Sequence, residues 1–193
     1  MDIAVLIKQV PVSNNVSVDP ETHALIRASA EGMINPADLN AIEEAMVLKE
    51  QTGGKVVVFT MGPPDAEKAL REAMAHGCDE SCLITARVVA GGDTIATARV
   101  LAEAIKKYGH FDLILGGALS ADGATGQVGA MVAECLGIPH ICEIQSIQYD
   151  EAAPDKIEAV KKVYGERFRV RVSLPAVISV NFGCNVPRLE TLR

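Results

Sequence analysis

The chain has 193 residues, 49% of them hydrophobic and 22% charged, which suits one ordinary globular domain with its own core and excludes a disordered tail. A formal charge of -7 argues against a nucleic acid or an anionic membrane surface as partner, because both need clustered Lys and Arg to displace counterions. The expected partner is a small molecule or another protein.

The first apolar run, Ile3 to Ile7, reads as a buried strand, too short for a secretory or membrane-spanning segment. The stretch NNVSVDPETHALIRA reads as a small hairpin turning at Asp19 and Pro20. A helix starts at Pro36 with Asn35 as its cap and Asp38 able to bond back toward it. Ile42, Ala45, Met46 and Lys49 follow at helical spacing, and Gly53 and Gly54 end it. KVVVFTM is the next strand. GPP then breaks into a helix carrying Ala66, Ala69, Leu70 and Ala73 on one side, and GCDESCLI returns the chain to the sheet. GGDTIATARVLAEAIKKYG gives a loop and a helix, and FDLILGG another strand, which runs through small and polar residues into a helix beginning on Thr125, Gly126 and Gln127. From Ile144 onward, IQSIQY, KIEAVKKVY, ERFRVRVSL and PAVISV alternate apolar and polar residues between short turns, the pattern of an antiparallel extension. Nothing along the chain demands a second domain. Residues 1–193 read as a single α/β domain, a mainly parallel sheet flanked by helices with a C-terminal antiparallel addition.

Right-handed crossovers put the C-terminal ends of the parallel strands on one edge, where such sheets bind ligands. Lys8, Gln9 and Val10, the loop Met61 to Pro64, and the loop Gly116 to Gln127 all fall there, with INPAD entering its helix nearby. Backbone amides from Gly126 to Val128 and the hydroxyls of Ser120 and Thr125 suit phosphate oxygens, so the crevice of this Rossmann-like fold reads as a nucleotide pocket. The fingerprints GxGxxG, GxxxxGK[ST], GxSxG and HExxH are absent, which disfavours a hydrolase or a conventional dinucleotide-dependent dehydrogenase. Five cysteines without a CxxC pair read as small buried hydrophobes in a reducing cytoplasm. Cys78 and Cys82 are four residues apart but carry no zinc-binding pattern, so no metal site is expected. His23, His76, His110 and His140 are scattered and read as surface or strand-edge residues.

Six ordered blocks, IKQVPV, INPADLNAIEEAMVLKE, VFTMGPPDAEKALREAMAHGCDE, GGDTIATARVLAEAIKK, DGATGQVG and LPAVISVNFGCNVPRLETL, spread over the whole chain. Together they resemble the β subunit of electron transfer flavoproteins, the FixA-like family. The resemblance implies a cytoplasmic heterodimer whose α subunit holds the electron-carrying FAD, while the β subunit keeps an adenine-nucleotide site. In oxidative members that site holds structural AMP. In bifurcating members of anaerobes it holds a second FAD that takes hydride from NADH. KQVP, MGPPDAE and GGDTIAT look more like the second group, where Gly92, Asp93, Thr94 and Thr97 would contact the NADH diphosphate. The residues themselves leave open that Asp93 or Thr94 merely caps the helix that follows.

On that resemblance the adenosine diphosphate part of FAD would rest on Leu6, Ile7 and Lys8 after the first strand, on Asn35, Pro36 and Asp38 at the helix entry, and on Met61. The glycine-rich loop would add Gly116, Gly117, Ser120, Asp122 and Gly123, then Thr125, Gly126, Gln127 and Val128. No side chain would act as acid, base or nucleophile, so no catalytic residue is assigned. Electrons would pass to the α-subunit FAD and on to an acyl-CoA dehydrogenase-type enzyme or ferredoxin, with neither nucleic acid nor membrane insertion involved. The chain departs from the family at Ala118 and Leu119, where a cation and an amide are usual, at Ala124, where an Asp is common, and at Arg193, where similar subunits continue into a partner-binding arm. A lost charge near a helix end is worth roughly 0.3–1 kcal/mol against the ~8 kcal/mol of micromolar binding, so the pocket is weakened rather than abolished. Two alternatives stand beside this reading: an electron carrier with structural AMP and no NADH reaction, and a stand-alone nucleotide-binding regulatory module.

Overall fold

The computed structural model describes residues 1–12, 17–18, 25–26 and 32–191. Its centre is β1 (Ile3–Leu6), an all-aliphatic strand buried along its whole length. Parallel neighbours flank it on both sides: β6 (Val56–Met61) pairs Val5 with Val58, and β8 (Leu113–Gly117) pairs Val5 with Leu115. Beyond β6 lies β7 (Glu80–Ile84), also parallel. Beyond β8 lies β12 (Ala176–Val180), then β9 (His140–Tyr149), β10 (Lys156–Val163) and β11 (Glu166–Ser173), so the described residues form an eight-stranded sheet in the order 11-10-9-12-8-1-6-7.

Successive residues of a strand face opposite sides, and two cores follow from that alternation. Ile3 and Val5 join one buried cluster with Ile42 and Ala45 of α1 (Pro36–Thr52) and Ala69 and Leu70 of α2 (Glu67–Ala75). Ala4 and Leu6 join the other with Phe59, Ala98, Leu101 and Ala102 of α3 (Thr94–Tyr108), and Val132 of α4 (Val128–Leu136). Fully burying a side chain such as Phe59 contributes about 1.5–3 kcal/mol. The layered α/β architecture is the one the alternation of elements implies.

Two expectations need correction. PAVISV does not belong to the antiparallel addition: β12 runs parallel to both β8 and β9, and all five of its residues are buried. A strand covered on both faces carries a continuous apolar run rather than a clean alternation. The antiparallel part is β9 to β11 alone, joined by β9–β10 and β10–β11 ladders. The helix after the glycine-rich loop begins at Val128 rather than Thr125. Ala124 (φ 48°) and Gly126 (φ 64°) are left-handed, so the backbone cannot propagate a helix through them.

Near the N-terminus β2 (Gln9–Pro11) pairs antiparallel with β5 (Gly32–Ile34), and β3 (Ser17–Val18) pairs with β4 (Leu25–Ile26) as a hairpin would. The turn expected at Asp19 and Pro20 lies outside the described residues, as does His23. After β12 the chain crosses back over the helices. Asn40 and Asn185 exchange hydrogen bonds of 2.7–3.0 Å, Arg188 meets Glu43 at 2.9 Å, and Thr191 donates to the Ala75 carbonyl.

Candidate nucleotide-binding cleft

The C-terminal ends of β1, β6, β8 and β12 open into one cleft of about 630 Å³. Leu6, Ile7 and Lys8 come from the end of β1, Met61 from β6, and Gly116 and Gly117 from β8. Ser120, Gly123, Thr125, Gly126, Gln127 and Val128 supply one wall; Gly92, Asp93, Thr94 and Thr97, at the start of α3, supply the adjoining one. The site residues read from the sequence therefore converge, with two exceptions. Pro36 sits in the first turn of α1 without reaching the cleft, and Asp122 stands behind it, accepting a 2.6 Å ion pair from Lys8. Gln9 and Val10 also turn away: Gln9 donates to the Asp65 carbonyl and Val10 is buried in β2.

Asn35 and Asp38 organise the floor, though not as a helix cap. Asn35 occupies the cap position of α1 but makes no side-chain bond to the helix amides. Its Nδ2 donates to Asp38 Oδ1 at 3.1 Å and to the Leu119 carbonyl at 2.9 Å, while its Oδ1 accepts from the Ala121 amide at 3.0 Å. Asp38 in turn accepts from the Lys8 amide at 2.7 Å and from the Gly117 amide at 2.9 Å. Two residues of one helix entry thus tie together the end of β1, the end of β8 and the loop that follows. Burial pushes the Asp38 carboxyl up to about 7, against the pull of Asn35, the two amides and the Lys8 charge. A Cβ on Gly117 would fall 2.3 Å from Asp38 Oδ1, so only glycine fits where the strand passes over the carboxylate.

Two helix N-termini lie side by side on the cleft. Asp93 caps α3, its Oδ1 accepting from the Ala96 amide at 2.8 Å, so the bland role considered for it from sequence is real. Thr94 Oγ1 lies 3.5 Å from Gln127 Oε1, at the edge of hydrogen-bond reach, linking the two walls. In α4 the first amide to find an intrahelical acceptor is that of Met131, which donates to the Gln127 carbonyl. Among the described residues the amides of Val128, Gly129 and Ala130 are the free first turn, two residues later than the Gly126–Val128 set expected from sequence.

Sequence reasoning missed the rim from Thr85 to Gly91, including Arg87, and the contribution of Val177 to Ser179. No motif marks them: the first is a loop with a single turn of 3-10 helix at Arg87–Val89, and the second arrives only because β12 is parallel. Arg87 puts a cation on the cleft that Ala118 does not supply. Among the histidines, His110 is exposed and His140 opens β9, as expected, whereas His76 departs from the expectation. His76 is buried at the C-terminal end of α2, and His140 lies under Gly129 with a buried Nε2 that has no hydrogen-bond partner; burial lowers its pKa.

A family model of the electron transfer flavoprotein domain matches residues 22–192. The chain is 42% identical over 193 residues to the electron transfer flavoprotein subunit beta of Thermoanaerobacterium thermosaccharolyticum, spanning 100% of this chain and 73% of that protein. The chain belongs to the electron transfer flavoprotein β-subunit and FixA family. Other members are the Acetobacterium woodii subunit CarD of a caffeyl-CoA reductase-Etf complex, 40% identical over 97% of this chain and 71% of that one, and protein FixA of Bradyrhizobium diazoefficiens, 39% identical over 91% and 62%. Electron transfer is the function of this flavoprotein family. Among the described residues no helix is long and apolar enough to cross a membrane.

Proposed function

We propose that this chain is the β-type subunit of a heterodimeric electron transfer flavoprotein and that its cleft holds the adenosine diphosphate part of FAD. The observation that carries the reading is the convergence of the free first turn of α4 with the glycine ends of β8 on a cleft floored by Asn35 and Asp38. Unpaired amides at a helix N-terminus favour phosphate oxygens. A cleft of about 630 Å³ with aliphatic walls and a few convergent polar groups suits an adenine nucleotide. Bound FAD would supply the acceptance of an electron pair and its release one electron at a time. The residues of this chain bind it, orient it and fence the phosphates from solvent. Lys8, held by Asp122, and Arg87 on the rim provide positive charge near the phosphates.

On this reading the described residues form one nucleotide-binding domain, the α-type partner carries a second FAD, and the complex works in the cytoplasm, where the five free thiols stay reduced. The wall of Gly92, Asp93, Thr94 and Thr97 is the approach for NADH, and the acceptors are an acyl-CoA dehydrogenase-type enzyme or ferredoxin. The similarity to a subunit of a reductase-Etf complex supports this assignment.

The test is to purify the chain with its α-type partner, release the ligands by denaturation and quantify FAD and AMP by chromatography. Two FAD per heterodimer, with NADH oxidation by the complex, is the expected result. One FAD with one AMP would make the cleft a structural nucleotide site, and ATP without an α partner would make the chain a regulatory module. A complex without adenine nucleotide beyond the α-subunit FAD would overturn the nucleotide assignment.

A further inference from the structure

Away from the cleft, α2 carries Glu72 and His76 one turn apart, a spacing that places both side chains on the same helix face. The segment following β12 delivers Glu190 to that face, because Thr191 anchors there: its amide and its Oγ1 both donate to the Ala75 carbonyl, at 2.8 and 2.9 Å. One oxygen of each carboxylate and one imidazole nitrogen then lie within 4.8 Å of one another. His76 is only 8% exposed as a residue; among the described residues no hydrogen bond reaches its ring, and its nitrogens stay accessible to solvent, unlike the sealed Nε2 of His140. Arg188, two residues before Glu190 in the same segment, is engaged by Glu43 and Glu50 rather than by this trio. Two carboxylates and an imidazole therefore converge at the C-terminal end of α2.

We propose that Glu72, His76 and Glu190 form a divalent transition-metal site, fitted to zinc, that clips the C-terminal segment onto α2. Imidazole nitrogen and carboxylate oxygen are the ligand atoms zinc takes at about 2.0–2.2 Å, which sets a ceiling of roughly 4.2 Å on the separation of two ligands of one ion. Separations of up to 4.8 Å mean that ligation requires the side chains, the exposed Glu190 first, to turn inward on the ion. Three protein ligands leave the fourth position to water, and nothing nearby suggests chemistry on it, so the metal's role is to hold the segment. The site is independent of the nucleotide cleft and stands or falls separately from the proposed function.

The full chain, stripped of metal by a chelator, would be titrated with Co²⁺ as an optical stand-in for zinc, and the segment's protection read in parallel by limited proteolysis with and without Zn²⁺. The expected result is one equivalent bound without a thiolate-to-cobalt charge-transfer band, and slower cleavage within residues 182–193 when Zn²⁺ is present. Affinity should fall on the order of tenfold or more in Glu190→Gln and in His76→Ala. Glu190 is exposed, so its variant keeps the fold even if loss of His76 disturbs α2. Absence of binding, a thiolate band that assigns the metal to the cysteines, or equal affinity in wild type and Glu190→Gln would each overturn the proposal.

Discussion

Asp38 is a buried carboxyl whose folded-state value of about 7 stands above the ordinary 3.8. Between those two values the folded chain keeps a proton that the unfolded chain has released, so stability should fall as pH rises through that window. Asp38→Asn cannot titrate, and its denaturation midpoint should vary less with pH over the same range. It should also be less stable by about 1–3 kcal/mol at low pH, because an amide nitrogen replaces one acceptor facing the Lys8 and Gly117 amides or Asn35. Chemical denaturation of both proteins at several pH values checks the slope and the offset together. Two neighbouring glycines make a sharper contrast. A Cβ at Gly116 meets Leu6 at an ordinary 3.5 Å, whereas at Gly117 it meets Asp38 Oδ1 at 2.3 Å and the Ala37 backbone at 2.9 Å. Gly117→Ala should cost about 1–3 kcal/mol through overpacking and lose bound nucleotide, while Gly116→Ala should fold with nearly wild-type stability. Thermal melts and adenine-nucleotide content separate the two.

At the scale of elements, α3 and α4 reach the cleft by different means. The first has a side-chain cap in Asp93; the second has Gln127 at its cap position with no side-chain cap bond. Asp93→Ala should therefore destabilise the chain by about 0.5–2 kcal/mol, and Asp93→Asn should restore most of that, since Asn caps as well as Asp. If the Asp93 carboxylate matters only as a cap, nucleotide binding will follow stability across these variants; a separate loss in Asp93→Asn would reveal a direct electrostatic contribution. Leaving α4 uncapped is consistent with its first amides being reserved for a ligand oxygen.

Across the whole molecule, the segment after β12 is held to α1 by the Arg188 guanidinium, which donates to both oxygens of Glu43 and to Glu50. Burial alone would raise the Glu43 carboxyl, but Arg188 holds it below its usual value. Arg188→Ala should destabilise the chain by about 1–3 kcal/mol, leaving a half-buried carboxylate without its partner, and should expose residues 182–191 to protease. Arg188→Lys should recover only part of this, because a single ammonium cannot reproduce the fork across two carboxylates. Saturating adenine nucleotide stabilises any fold that binds it, by about 2.7 kcal/mol at a hundredfold excess over Kd, so a melt of the complex with and without added FAD or AMP reports on the cleft independently of activity.

Much of this architecture was legible in the sequence, because it rests on local pattern. Ile3 to Ile7 and KVVVFTM are apolar runs of strand length, Gly53 ends α1, and the glycine-rich loop after Leu115 announces a close backbone approach. The blocks that resemble electron transfer flavoproteins named the family, since an ordered set of segments over the whole chain constrains descent far more than any one motif. Tertiary structure alone decided the direction of β12, the left-handed residues that delay α4, the use of Asn35 as a brace rather than a cap, and the arrival of Arg87 at the rim. It also brought Glu190 to His76. Each of these depends on contacts between residues distant in the chain, where burial on both faces, a donor across the cleft or a returning segment outweighs the local preference that the sequence displays.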